Sequence, residues 1–213
     1  MNWQEFTALL VLATAMSFSP GPNTTLSTAL AANGGLPRAM RFVFAVPVGW
    51  TLLLVLCAAG LGALVVAQPA LRLAIKALGI VYLLWLAFKL AALPFATPPR
   101  PAEGARSATL GQADDKRLDV GFGQGVLLQF LNIKAWLLAL TLVAGWIAGK
   151  PDALQRFAVV APVMLAFAFV SNFTYALAGS LLRDWLAQGQ RLLWFNRAMA
   201  GVLVLTATWM VTV

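Results

Sequence analysis

The sequence predicts an all-α integral membrane protein whose six transmembrane helices form two inverted three-helix repeats, with the first helix broken. The composition is one reason, because 61% hydrophobic and 10% charged residues leave too little polar surface for a soluble domain. A second is a series of six apolar windows, each close to the ~20 residues that span a bilayer. A third is a polar segment that separates the windows into two sets of three, so a fold shared by both sets must cross the membrane in opposite directions.

The six predicted spans cover nearly the whole chain. They run from Phe6 to Ala32, Met40 to Val66, Leu71 to Leu93, Gly121 to Ala148, Phe157 to Leu182 and Leu192 to Val213. A cleaved signal peptide competes for the first window, since Ala13-Thr14-Ala15 resembles a cleavage site. The residues before it include Glu5 but no Lys or Arg, so the basic region of a signal peptide is missing and we expect the span to be retained.

The first span contains a helix-breaking sequence, Ser17-Phe18-Ser19-Pro20-Gly21-Pro22-Asn23. Each interior proline destabilises a helix by about 3 kcal/mol. Backbone groups freed within hydrocarbon need other partners, so irregular backbone persists there only beside protein or a watery cavity. The break is therefore the first candidate binding site, with Pro20, Gly21, Pro22 and Asn23 at its centre.

The segment from Pro94 to Asp119 divides the chain. Its sequences Pro98-Pro99-Arg100-Pro101 and Asp114-Asp115-Lys116-Arg117 are typical of a mobile cytoplasmic linker. We therefore predict a single membrane domain, residues 1–213, made of repeat one (1–93), the linker (94–119) and repeat two (120–213). Inverted repeats of this kind are a common plan for transporters.

The fourth span carries a matching interruption, Gln129-Phe130-Leu131-Asn132-Ile133-Lys134, about as far into its repeat as the first break is into its own. We expect the two interruptions to meet near the midplane of the membrane. Opened helix ends offer N–H groups to a carboxylate and C=O groups to an ammonium group. The pair therefore predicts a site for a zwitterion such as an amino acid.

Lys134 lies deep in the fourth span, about 14 residues or some 20 Å from its start. A charge at that depth costs at least ~3 kcal/mol. It is either a counter-ion for a substrate carboxylate or a lysine that exchanges protons. The alternative is a structural lysine that binds the carbonyl groups freed at the first break.

Polar residues also interrupt the fifth span, where Asn172 and Tyr175 share one helix face. They either line the cavity or form hydrogen bonds between helices, worth about 0.6 kcal/mol each. The same two interpretations apply to Ser171 and Thr174 in that span, and to Thr24, Thr25 and Gln129 beside the breaks.

Two further patterns concern packing and the membrane surface. Small residues four apart predict close helix contacts in Ala45-x-x-x-Gly49, Gly121-x-x-x-Gly125 and Gly145-x-x-x-Gly149. Trp3, Trp50, Trp185 and Trp194 fit a belt of aromatic residues at the membrane surfaces.

The basic residues indicate orientation rather than nucleic-acid binding, because they are spread over short connections. Of the 15 Lys and Arg residues, ten follow spans one, three and five and four lie on the opposite side. The excess marks the cytoplasmic side and predicts that both termini are periplasmic.

The chain offers little for catalysis or cofactor binding. Its one cysteine, Cys57, excludes an internal disulfide framework, and the lack of histidine argues against a zinc or haem site. The seven acidic residues fall in termini, loops or span edges, which removes the usual carboxylate proton relay. We therefore expect neither a cofactor nor an enzyme.

The sequence resembles the LysE/RhtB family of amino-acid exporters over essentially its full length. The resemblance rests on Ser19-Pro20-Gly21-Pro22-Asn23, Leu131-Asn132-Ile133-Lys134, the run Leu78 to Leu86, and Asn196-Arg197 leading into Gly201. It implies a secondary exporter in the bacterial inner membrane, coupled to proton entry, with both interruptions in the transport core.

Two departures from the family pattern bear on the substrate. Asn132-Ile133-Lys134 stands where many members have Asn-Pro-Lys, and Gly49-Trp50 stands where lysine-type exporters carry an acid after the glycine. The missing acid argues against a cationic substrate. The segment Gln129 to Lys134, with Ala176-Leu177-Ala178-Gly179, is most similar to the cysteine and O-acetylserine branch, so small neutral amino acids are the expected substrates.

The predicted partners are an amino-acid substrate, protons and the lipid bilayer, without nucleic acid, and a homodimer is left open. A passive channel or stress-release pore is the alternative function, because it would use the same broken helices without coupling or saturation. A membrane enzyme ranks third, since no catalytic set is found in the sequence.

Overall fold

The computed structural model describes residues 1–93 and 118–212, and every regular element in that part of the chain is a helix. The helices are α1 (Trp3–Phe18), α2 (Pro22–Gly34), α3 (Leu36–Ala58), α4 (Leu61–Ala67), α5 (Pro69–Ala91), α6 (Phe122–Leu131), α7 (Ile133–Leu142), α8 (Ala153–Leu181), α9 (Arg183–Leu186) and α10 (Arg191–Thr212). A π-helical turn, Val143–Ile147, continues α7. The all-α prediction is confirmed for these residues, whereas most of the predicted linker, residues 94–117, lies outside them.

Among the described residues, four helices are long and apolar enough to cross a bilayer, namely α3, α5, α8 and α10. α6 and α7 with its π turn are a fifth candidate if this pair, bent by 68°, forms one span. α1 and α2 contain 16 and 13 residues, and each is shorter than the ~20 residues that a span needs. A helical protein with four or five candidate membrane spans among the described residues is confirmed, and the six-helix arrangement stays a prediction.

Two helix boundaries differ from the predicted spans for local reasons. α1 begins three residues earlier than predicted because Asn2 and Glu5 form a capping box, in which Glu5 N donates to Asn2 Oδ1 at 2.7 Å and Asn2 N donates to Glu5 Oε2 at 2.8 Å. The second span was predicted to run unbroken to Val66. Instead α3 ends at Ala58, because Gly60 takes a left-handed conformation with φ of 107°, and α4 then begins at Leu61.

Glycines bring the principal helices close together. α8 packs against α2 and α3, α3 packs against α6, and α5 packs against α10. A Cβ at Gly179 of α8 would collide with the backbone of Thr28 in α2, and one at Gly49 of α3 would lie 2.7 Å from the carbonyl oxygen of Val126 in α6. These contacts let the backbones approach as in small-residue packing motifs of membrane helices.

The predicted small-residue motifs are confirmed in part. A Cβ at Gly125 would lie 2.7 Å from Cβ of Ala45, so the Ala45–Gly49 motif and Gly125 form one contact between α3 and α6. Gly145 and Gly149 face open space, and Gly121 is close only to Gln124 of its own helix. The motif at Gly145 was wrongly predicted to pack, because its second glycine ends the segment with a φ of 70° instead of continuing a helix face.

The two ends of the bundle are held by different polar contacts. At one end, which we call the amino-terminal face, Arg156 bridges Asp152 at 2.6 Å and Glu5 at 3.1 Å, and the Met1 ammonium lies 3.5 Å from Asp152. The hydrogen bond from Arg156 holds the pKa of the Asp152 carboxyl below its ordinary value. At the opposite end, the linker face, Arg38 and Asp119 pair at 3.6 Å.

Candidate functional site

The first break is three residues long and is capped locally. α1 ends at Phe18, Ser19 has an extended backbone, and α2 begins at Pro22. A proline in the first turn of a helix removes an N–H that would have no intrahelical acceptor in any case. Gly21 N donates to Thr24 Oγ1 at 3.1 Å, so Thr24 closes the start of α2.

The second break consists of a single residue, Asn132. It ends α6 and begins α7 with an extended backbone, φ −97° and ψ 102°. Its side-chain Oδ1 accepts a hydrogen bond from Lys134 N at 3.1 Å, which is the usual role of an asparagine at a helix start. Proline is favourable at the first position of a helix, but Ile133 occupies that position in α7. The Asn132 cap explains why the chain bends here without a proline.

The two breaks meet, as the sequence predicts. Lys134 Nζ donates to the carbonyl oxygen of Ser19 at 2.9 Å and to Ser19 Oγ at 2.7 Å. Asn23 Nδ2 donates to Gln129 Oε1 at 2.8 Å, and Gln129 Nε2 donates back to Asn23 Oδ1 at 3.1 Å. A lysine and a reciprocal amide pair therefore join the first break to the second.

Lys134 binds a carbonyl group at the first break, as expected of a structural lysine. It can also contact a substrate, because these contacts do not use all of its donors. One of its two bonds to Ser19 satisfies a carbonyl group that the end of α1 leaves without a helical partner, and the other goes to the Ser19 hydroxyl. An ammonium group has three N–H donors. Lys134 also lines the cavity described next, so one donor remains for a ligand there.

A cavity lies where the two breaks meet α3 and α8. Its volume is about 60 Å³, enough for several water molecules at ~10–15 Å³ each. Its polar lining, which we call the polar wall, includes break residues and consists of Ser17, Ser19, Gly21, Pro22, Asn23, Thr24, Asn132, Lys134, Ser171 and Asn172. Its remaining lining is mainly apolar and consists of Met16, Val46, Trp50, Ala135, Leu138, Met164 and Ala168.

Most of the predicted site residues are in the polar wall, and three are not. Gln129 is fully buried behind Asn23 and also donates to the carbonyl oxygen of Gly125 at 3.0 Å. Tyr175 donates its hydroxyl to the carbonyl oxygen of Phe18 at 2.8 Å, another acceptor freed at the end of α1. Pro20 is exposed and lines a neighbouring groove beside α10. Gln129 and Tyr175 therefore support the break from outside the cavity, whereas Pro20 is part of the break and faces away from the cavity.

The polar residues of the fifth span divide between the two interpretations. Asn172 lines the cavity and accepts a hydrogen bond from Ser27 Oγ at 2.9 Å, so it belongs to both. Ser171 lines the cavity and bonds only within α8. Thr174 is exposed and donates to the carbonyl of Val170 within its own helix.

Trp50 is the main residue that the sequence interpretation misplaced. It was predicted to lie in a surface belt, yet it is 4% exposed and forms part of the cavity wall. Its indole Nε1–H is buried and has no acceptor in the part of the chain that the structure describes. The sequence does contain a signal for this buried position, because Trp50 directly follows Gly49, the glycine that brings α3 close to α6.

The apolar cavity residues could not be identified from the sequence, because Met164, Leu138 and Val46 resemble any other residues of a membrane helix.

Among residues 1–93 and 118–212, no three His, Cys, Asp or Glu side chains lie close enough together to hold a metal ion. The side chains that are present can donate hydrogen bonds, accept them and provide one positive charge.

Comparison with known proteins identifies the family of this chain. The family model described as LysE type translocator matches residues 14–212. Similar proteins include the "Cysteine/O-acetylserine efflux protein" of Klebsiella pneumoniae, 28% identical over 90% of this chain and 91% of that protein. The protein of the same name from Salmonella typhimurium is 30% identical over 78% of each chain, and that from Escherichia coli K12 is 28% identical over 92% and 91%. No solved structure matches.

Proposed function

This chain belongs to the LysE type translocator family, and we propose that it is a secondary active exporter of small neutral amino acids or their derivatives. In this proposal its substrates are compounds like cysteine and O-acetylserine, or like threonine and homoserine, which leave the bacterial cytoplasm across the inner membrane. Proton entry drives the export. The names of the related efflux proteins support the cysteine and O-acetylserine class.

The observation that carries the proposal is the convergence of two helix starts and one lysine on a single cavity. α2 begins at Pro22 and α7 begins directly after Asn132, and both of these residues are in the cavity wall. The first N–H groups of a helix have no intrahelical acceptor and carry partial positive charge. Together with the remaining donor of Lys134 they suit a carboxylate. The amide oxygens of Asn23 and Asn172 offer acceptors for an ammonium group.

The charges around the cavity favour a substrate with a neutral side chain. No Asp or Glu is among the described residues of its wall, so a second cationic group would have no counter-charge. The described acids lie elsewhere, at the faces of the bundle, as in Glu5, Asp119 and Asp152. Trp50, Leu138 and Met164 form an apolar wall suited to a short uncharged side chain.

The helix contacts support the proposed inverted repeats, residues 1–93 and 120–213. Exchanging the repeats turns α3 into α8 and α5 into α10, so the α3–α8 and α5–α10 contacts map onto themselves. The first broken span packs against α8, and the second packs against α3, as the same exchange requires. Each broken span then has one half that can move against the opposite repeat, which is how such transporters expose a central site to alternate sides.

The contacts beside the cavity favour a carrier over a passive channel. Towards the linker face, the Asn23–Gln129 pair and the Ser27–Asn172 hydrogen bond cross between helices directly next to the cavity. A continuous pore would have to break both. A carrier opens them only while the opposite side is closed.

Proton coupling in this proposal involves Lys134 or the ionisation of the substrate. Lys134 is the one ionisable side chain among the described residues of the cavity wall. Export should therefore respond to an imposed pH gradient across the membrane. An export rate that does not change with that gradient would remove the coupling from the proposal and leave the substrate class intact.

The first test compares the amino acids in the medium of bacterial cells that overproduce the protein, Lys134→Ala or Lys150→Ala. Lys150 is outside the cavity, so its variant is a matched control for loss of one positive charge. We expect one or a few small neutral amino acids to accumulate with the unchanged protein and the control, and at least tenfold less with Lys134→Ala. Accumulation confined to lysine and arginine would contradict the neutral substrate.

A second test separates carrier from channel with purified protein in vesicles. Vesicles loaded with unlabelled substrate should take up labelled substrate from outside against its concentration gradient, and this counterflow should saturate. A channel would equilibrate the label without accumulation. Formation of a product without movement of substrate would instead point to an enzyme.

A further inference from the structure

A second groove lies on the outside of the bundle, on the far side of α7 from the central cavity. It has a volume of about 530 Å³ and lies between α4, the start of α5, and α7. Ile133, Trp136, Leu137 and Leu140 of α7 line it, and their spacing places them on one helix face. Lys134, Ala135 and Leu138 face the central cavity instead, so α7 is the wall between the two spaces.

The groove combines an apolar slot with a basic rim. Arg72 and Lys76 line it from the first two turns of α5. They are four residues apart, which places their Cβ atoms about 5–6 Å apart on one helix face. Neither forms an ion pair in the part of the chain that the structure describes, although Lys76 Nζ donates to the carbonyl oxygen of Val211 at 2.8 Å. Two cations this close favour a shared anion.

The depth of these residues fits a phospholipid. Arg72 and Lys76 are three and seven residues into α5, or about 5 and 10 Å along its axis, within reach of the headgroup layer for long basic side chains. The apolar residues of the groove continue from Leu140 towards Ile133 at the helix break, about 10 Å deeper. Leu73, Val66 and Leu137 are exposed at its edge, so the slot opens sideways to hydrocarbon.

We propose that this groove is a binding site for an anionic phospholipid, with its phosphate between Arg72 and Lys76 and an acyl chain along α7. A simple pair of surface anchors would need no slot beneath them, and an ordinary apolar groove would need no pair of cations at its mouth. The proposal is independent of the transported substrate, because no residue of the central cavity takes part. In this proposal the bound lipid contacts α7, the helix that carries Lys134.

The test is native mass spectrometry of the full-length protein with equal amounts of phosphatidylglycerol and phosphatidylcholine. Each Lys or Arg beside an anionic lipid strengthens binding about fivefold. We therefore expect the unchanged protein to retain phosphatidylglycerol preferentially, and Arg72→Gln/Lys76→Gln to reduce that preference about 25-fold or abolish it. Lys89→Gln/Lys150→Gln is the control, because it removes two positive charges outside the groove and should keep the preference.

A second variant and a soluble competitor test the acyl chain. Leu137→Trp fills the slot without changing charge, and Leu137 is 38% exposed, so the helix tolerates the larger ring. It should reduce retention of phosphatidylglycerol although both cations are present. Glycerophosphoglycerol, the headgroup without chains, should not displace the lipid at equal concentration. Equal retention of the two lipids, no effect of Arg72→Gln/Lys76→Gln, or displacement by the headgroup alone would overturn the proposal.

Discussion

At the residue scale, Lys134 shows how one side chain serves both the fold and the cavity. A charged lysine near the middle of a membrane helix is unfavourable by about 3 kcal/mol or more. The break in the first span supplies the compensation, because the Ser19 carbonyl and hydroxyl both accept its N–H groups. The break and the lysine therefore depend on each other: the lysine satisfies the freed backbone, and the backbone holds the lysine at the cavity wall.

Trp50 and Trp136 allow a matched pair of substitutions at this scale. Trp136 Nε1 donates to the carbonyl oxygen of Phe130 at 2.8 Å, whereas Trp50 Nε1 has no acceptor among the described residues. Trp136→Phe should lower the free energy of unfolding by about 0.5–1.5 kcal/mol, since the partly buried hydrogen bond to the Phe130 carbonyl is lost. Trp50→Phe removes no hydrogen bond among the described residues, so it should lower the free energy of unfolding less than Trp136→Phe. It should weaken substrate binding about threefold to tenfold, because Trp50 is part of the apolar lining of the cavity and the smaller ring leaves less surface to contact a substrate.

Thermal or denaturant unfolding and substrate binding to the purified variants would check both expectations. Equal loss of stability in the two variants, with no effect of Trp50→Phe on binding, would mean that the Trp50 indole serves packing alone.

At the element scale, the breaks were predictable from the sequence, and the roles of several residues around them were not. Pro20, Gly21 and Pro22 act locally on the backbone, so their effect is visible in the sequence itself. Gln129 and Tyr175 were predicted to be candidate ligands, but their partners are 106 and 157 residues away, and only the packing of α6 and α8 against the first span decides that they face Asn23 and Phe18. The early end of α3 was missed because hydropathy does not register the left-handed conformation of Gly60.

Close contact between α2 and α8 is the element-scale feature most open to test. Gly179→Ala places a Cβ against the backbone of Thr28, which cannot move aside like a side chain. We expect it to lower stability by about 1–3 kcal/mol, as overpacking does, and to reduce transport by shifting α2. Gly201→Ala is the control, since nothing lies within 4 Å of its added Cβ, and alanine in a helix should leave stability equal or raise it by up to ~1 kcal/mol.

Unfolding midpoints measured in one detergent would compare the two glycine variants. Tolerance of Gly179→Ala equal to that of Gly201→Ala would show that α2 and α8 are free to separate in the resting protein.

At the scale of the whole molecule, the structure has two apolar clusters with the polar cavity between them. One contains Leu26, Phe42 and Leu86 and lies towards the linker face, and the other contains Leu9, Leu53 and Leu142 and lies towards the amino-terminal face. The breaks fall between these clusters. Each cluster can therefore remain packed while the helix halves that meet at the cavity change their relative positions, which is the property that alternating access requires.

The orientation of the whole molecule is predicted by the distribution of Lys and Arg and can be tested with single cysteines. In a Cys57→Ala background, Trp3→Cys reports on the amino-terminal face and Asp184→Cys on the opposite face, and both positions are exposed. Because basic residues are concentrated on the cytoplasmic side of membrane proteins, a thiol reagent that does not cross membranes should label Trp3→Cys in intact cells. It should label Asp184→Cys only after the inner membrane is permeabilised. The reverse pattern would place both termini in the cytoplasm, and the Ser27–Asn172 contact would then close the cavity towards the outside instead of the inside.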